Sequence, residues 1–248
     1  MSIFGTENHN DMTTPHPYLP ETEMIHLVAS DYKLLQVISR FGIPPGFGTK
    51  TVEEVCVSAG VDTYTFLAIV NFVKRGYTSP EIVADVDIPT LLQYLSHSHS
   101  YFLDFFLPQI RRKLIEGINF RSGEIPVLIL KLFDEYRSEV ESHMQYEEER
   151  VFSYVHSLLR GAKTEEYNVS TYSHHHGEVT SKLKEVKKLI LRYCPPDADA
   201  NLLNAALYDI YRCGDELDSH CLVEDRIFVP AVERLEKSLT TTGDDRQR

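Results

Sequence analysis

The chain has 248 residues, 42% of them hydrophobic, with a formal net charge of −12 and a pI near 5.4. This is enough for one large domain or a medium domain with a small partner, and the acidic balance argues against nucleic acid or an anionic membrane surface as a main partner. No signal-peptide pattern and no apolar run of roughly 18 residues occurs, and Cys56, Cys194, Cys213 and Cys221 form no CxxC pair, so a cytoplasmic protein without a disulfide framework, a membrane span or a thiolate zinc site is expected.

Residues 1–22 are polar around TTPHPYLP and read as a flexible arm. MIHLVASDYKLLQVISRF has helical spacing and is stopped by GIPPGFG. Thr51 with Glu54 has the pattern of a capping box opening TVEEVCVSAG, with Gly60 just past its end. Asp62 is placed to cap DTYTFLAIVNFVKRG, which Gly76 closes. These signals predict three short helices in a small N-terminal domain, 23–78, followed by a linker, YTSPEIVADVDIP. From 88 to 238 no β-alternation is found. Four long 3.6-period patterns run there instead, with Gly-, Pro- or Asn-marked breaks near 117–126, 161–168 and 194–201. The expected fold class is all-α: an up-down four-helix bundle preceded by the small helical domain.

Walking each bundle helix at alternating steps of three and four gives its inward stripe. The first is Ile88, Leu92, Leu95, His99, Phe102, Phe106. The second is Ile129, Leu132, Tyr136, Val140, His143, Glu147, Val151, and the third Val169, Tyr172, His176, Val179, Leu183, Val186, Ile190. The fourth is Leu203, Ala206, Ile210, Cys213, Leu217, His220, Glu224, Ile227, Ala231. Each stripe carries one histidine, and two carry a glutamate four residues later. The stripe also chooses His99 over His97, and His176 over His174 and His175.

Residues four apart sit about 40° apart around a helix, on one face. HMQYEEERVF and HCLVEDRIFV therefore each point an imidazole and a carboxylate into the core. Two ionised carboxylates buried together cost several kcal/mol, a balance that a pair of cations reverses. The proposed ligands, His99, His143, Glu147, His176, His220 and Glu224, are all N or O donors, with the two glutamates placed to bridge. Iron is the first choice of metal, manganese or zinc the second. A lone core histidine is more often hydrogen-bonded structure, and Glu147–Glu149 as a bare run reads as solvated surface; the four-stripe coincidence favours the metal. Glu139 and Glu216, each four residues before a ligand histidine, read either as orienting acceptors or as ordinary helix-surface acids. No nucleophile–base pair for hydrolysis stands out.

At HMQYEEERVF, HCLVEDRIFVP and HSYFLDFFLPQI the chain resembles the hemerythrin-like (HHE) cation-binding proteins, and most closely the di-iron proteins that repair iron–sulfur clusters. The resemblance covers most of the chain. It implies an oxo- and carboxylate-bridged di-iron centre with histidine ligands at His99, His143, His176 and His220 and bridging carboxylates at Glu147 and Glu224. A further family histidine would fall near Asn119, and this chain has no His between 99 and 143, which leaves that ligand absent or replaced by water. The family's N-terminal domain carries a Cys-Cys pair where RFGIPPGFG places Pro44 and Pro45, so a docking or dimerising role is expected there in place of thiol chemistry. The function implied is cluster repair under nitrosative or oxidative stress, by handling nitric oxide or supplying iron, in a homodimer that meets O2, NO and damaged iron–sulfur proteins. The alternatives are a hemerythrin-like O2 or NO binding or sensing protein and a metal-free helical interaction module.

Overall fold

A computed structural model describes residues 18–76, 78–118, 123–162, 167–169, 179–193 and 198–244, with backbone alone at 179–181 and 240–244. The first apolar pattern, expected as one helix, forms two: α1 (Met24–Ser30) and α2 (Leu34–Arg40). The break is at Asp31, whose backbone is extended at φ −158° and ψ 104°. Its carboxylate accepts the Lys33 amide at 3.1 Å and pairs with Lys74 Nζ at 3.2 Å; this kind of local side chain–backbone bond competes with helix.

α3 (Val52–Ala59) opens on the reciprocal Thr51–Glu54 capping box and ends at Gly60, in the left-handed region at φ 68°. α4 (Thr63–Arg75) starts where Asp62 accepts the Thr65 amide at 2.7 Å. The expected linker contains a short helix, α5 (Pro80–Ala84), because Ser79 caps it and Pro80 arrives with its φ already set.

In the bundle, α6 (Ile88–Ser100), a π-helical segment π1 (Tyr101–Phe106) and α7 (Leu107–Gly117) form the first helix. The second is α8 (Glu124–Tyr146), π2 (Glu147–Phe152) and α9 (Ser153–Leu159), and the third is α10 (Val179–Arg192). The fourth is α11 (Ala200–Val223), π3 (Glu224–Phe228) and α12 (Val229–Asp244). α7 and α10 each pack along both α8 and α11, so the helices close into a ring. Gly117 is the tightest joint. Its carbonyl accepts the Asp199 amide at 3.0 Å, and a Cβ there would lie 3.1 Å from the Leu203 nitrogen. The end of the first helix is thus fastened to the start of the fourth, as up-down order requires. Among the described residues no strand forms, only an isolated bridge between Glu23 and Thr51, and no helix is long and apolar enough to cross a membrane.

Among the described residues the core consists of two apolar bodies. One joins Leu27, Ile38 and Phe66 of the N-terminal helices to Leu95, Val155 and Phe228 of the bundle. The other holds Phe106, Ile110, Phe133, Val140, Val186 and Ile210. Each fully buried side chain of this size contributes about 1.5–3 kcal/mol. At every π segment two consecutive residues are buried: Phe106 and Leu107, Val151 and Phe152, Ile227 and Phe228. A π turn holds one extra residue, so the inward stripe slips by one there. Ile88 and Leu132, expected on the stripes, are only half-buried, and Leu91 and Phe133 take the inward places.

Candidate metal centre

The layer between the two apolar bodies is polar. On the first helix it lies between Leu95 and Phe102 and holds His99. On the second it lies between Met144 and Val151 and holds Glu147; on the fourth, between Leu217 and Ile227, it holds His220 and Glu224. All four side chains are buried, the two glutamates at 0% exposure, and they offer donor atoms within 4.8 Å of one another. Two of the four, Glu147 and Glu224, open π2 and π3, and His99 lies two residues before π1.

His99 Nε2 is 3.1 Å from Glu147 Oε2, while His143 Nε2 is 3.0 Å from Glu147 Oε1. The two oxygens of one carboxylate therefore face two different imidazoles. His220 Nε2 lies 3.3 Å from Glu224 Oε1. The His99 ring stacks on Phe152 at 5.4 Å and meets the edge of His220 at 5.1 Å. His99 Nε2 and His220 Nε2 are at ion-pair distance from a glutamate but out of hydrogen-bond alignment with it, and His220 Nδ1 has no hydrogen-bond partner among the described residues. Buried carboxylates and imidazoles turned toward a shared centre, rather than aligned on one another, are the donor set a multivalent cation needs.

Glu148, which as part of an acidic run reads as surface, takes a specific place. Its Oε1 is 2.8 Å from His99 Nδ1, the ring nitrogen facing away from Glu147. Glu149 is exposed and accepts from Gln145 at 2.7 Å. Burial alone would raise the Glu148 pKa, but hydrogen bonds from His99 and Ser96 outweigh it and lower the value. Burial likewise opposes a charged His99, yet the Glu147 carboxylate beside Nε2, the hydrogen bond to Glu148 and the charge of Glu224 prevail and raise its pKa to about 9. Without metal, His99 holds a proton at neutral pH, and a cation entering the cluster displaces it. No spacing rule links His99 to Glu148, because they lie on different helices.

His97 points elsewhere: it is exposed, with Nδ1 2.8 Å from the Arg40 carbonyl. His143 lies at the edge of the layer and forms a second cluster with Glu224 and Cys221. Cys221 is a donor the sequence reading left out. His176, together with Tyr172, His174, His175 and Asn119, lies outside the described residues. Glu216 is taken up by Arg40 at 2.9 Å and Arg212 at 3.4 Å. Arg40 itself is 4% exposed and lies over the rings of Tyr101 and Phe102. Glu139 pairs with Lys182 at 2.5 Å. Tyr136 is buried in the far apolar body, its hydroxyl 3.9 Å from Cys213 Sγ.

A closed ring of helices with a buried histidine–glutamate layer across its core defines a cation-binding helical bundle. A family model described as the hemerythrin HHE cation binding domain matches residues 90–232, and the chain belongs to that family. A search of curated proteins finds no match.

Proposed function

We propose that this is a non-haem di-iron protein of the iron–sulfur cluster repair type, acting in the cytoplasm under nitrosative or oxidative stress by handling nitric oxide or supplying iron. The observation that carries the two-metal reading is Glu147, whose Oε2 and Oε1 lie 3.1 Å and 3.0 Å from His99 and His143. One ion is assigned to His99, His220, Glu147 and Glu224. His143 and His176 serve the second, with the glutamates shared. Bound iron supplies a coordination position for a diatomic ligand and one-electron chemistry. Around it Glu148 orients His99 through Nδ1, and Phe102 and Phe152 wall the rings of His220 and His99 away from water.

The resemblance to the repair type extends to the N-terminal helices, which share an apolar body with the bundle. Because Pro44 and Pro45 stand where the resemblance expects cysteines, the proposed role runs through the metal centre. Segment 23–78 is then a docking or dimerising unit.

Untagged protein from iron-replete cells should carry about two metal ions per chain, mainly iron. His99→Ala should lower that content far more than His97→Ala, and His176→Ala more than His174→Ala. Equal losses within each pair would show that the helix faces are wrongly assigned, and a reproducible zero in the parent protein would sink the metal reading. Iron that survives repeated cycles of nitric oxide binding and release would replace repair by gas binding.

A further inference from the structure

The second donor cluster contains a group that the proposed ligand set omits. The sulfur of Cys221 lies within 4.8 Å of donor atoms from both His143 and Glu224. Helix geometry explains why. Cys221 and Glu224 are three residues apart on the fourth helix and His220 and Glu224 are four apart, so the glutamate is flanked by an imidazole on one side and a thiol on the other. The surroundings are those of a donor site. Glu224 is 0% exposed, and His220, 1% exposed, has an Nδ1 without a hydrogen-bond partner among the described residues. The chain's other cysteine on this helix provides the contrast. Cys213 is buried in the far apolar body against Tyr136 and belongs to no such cluster among the described residues.

We propose that Cys221 is a thiolate ligand of the second metal position, beside His143 and Glu224. This rests on the two-metal reading of the centre and makes its two positions chemically unequal. The first is an all-N,O set from His99, His220, Glu147 and Glu224. The second adds sulfur, which shifts its preference toward softer divalent cations. On binding, the Cys221 S–H bond breaks, its proton leaves to solvent and the sulfur pair goes to the cation; nothing is oxidised or reduced.

Cobalt(II), titrated into the metal-free full chain, is the probe, because a cobalt–thiolate bond gives a near-ultraviolet charge-transfer absorption that imidazole and carboxylate ligands do not. The band should grow as the second equivalent binds, and about one cysteine fewer should react with an alkylating reagent at saturation. Cys221→Ser should still take up cobalt but lose the band, and Cys56→Ser should keep both. Two bound cobalt ions without a thiolate band in the parent protein would overturn the assignment, as would a band that survives Cys221→Ser. No cobalt uptake by the parent protein would overturn the two-metal reading, and this assignment with it.

Discussion

The far half of the bundle and the layer at His99, Glu147, His220 and Glu224 are built from the same helices, yet they follow different rules. In the far half, Ile110, Phe133, Val140 and Ile210 interdigitate along regular helix, and each contact is an end in itself. In the polar layer, fully buried glutamates face imidazoles at 3.0–3.3 Å, and two of the four donors open a π segment. One half is held by apolar packing, whereas the other gathers buried nitrogen and oxygen donors. Folding energy and binding capacity are thus separated along the helix axis, and that separation can be tested.

The largest expected effect is on the layer. Complete removal of metal should lower stability by about 4 kcal/mol relative to protein with metal a thousandfold above its Kd, measured as urea unfolding of loaded and stripped protein. Coincident curves would contradict it. Phe133→Ala should cost about 3 kcal/mol, at the low end for a buried phenylalanine, equally in loaded and stripped protein, and should leave metal content unchanged. Metal loss in Phe133→Ala would show that the two halves are coupled.

A pH dependence should also separate the two states. The folded-state pKa of His99 is raised from 6.5 to about 9, so its contribution is fully present below about 6.5 and is lost as pH climbs toward 9. Stripped protein should weaken across that window. Loaded protein, whose metal has displaced the proton, should not weaken for this reason, and His99→Gln should flatten the slope of the stripped form. A stripped His99→Gln variant that keeps the full slope would locate the titration elsewhere. The smallest effect is expected outside the bundle: Thr51→Ala removes the α3 capping box and should cost about 1 kcal/mol with no change in bound metal. Thermal unfolding with metal analysis on the same samples checks both points.

Much of this arrangement was legible from local signals. The caps at Thr51 and Asp62 form as read, because a cap needs only neighbours in the chain. The stripe of the fourth helix is buried from Leu203 to Ala231, since a helix inside a ring has one inward face. What escaped depends on contacts between distant residues or on departures from 3.6 residues per turn. Asp31 splits the first helix through a bond to Lys33 and a pairing with Lys74 of α4. The Arg40–Glu216 pair joins residues 176 positions apart. Glu148 and Cys221 lie off the stripes and come near the other donors because the helices bring their flanks together. The π segments leave no mark in the periodicity beyond an adjacent apolar pair, a pattern that regular helices also show.

The π segments have one more consequence. A single wide turn acts as a rotary joint: it lets the two halves of one continuous helix face different neighbours without breaking the rod. α6, before its joint, packs toward the N-terminal helices, and α7, after it, packs into the far body. The second and fourth helices make the same exchange in the opposite direction, with α8 and most of α11 contributing to the far body and α9 and α12 to the body shared with the N-terminal helices. A rod of uniform pitch would have to offer the same face to both neighbours. The two buried glutamates open two of these joints, with His143 and His220 one turn before them on regular helix.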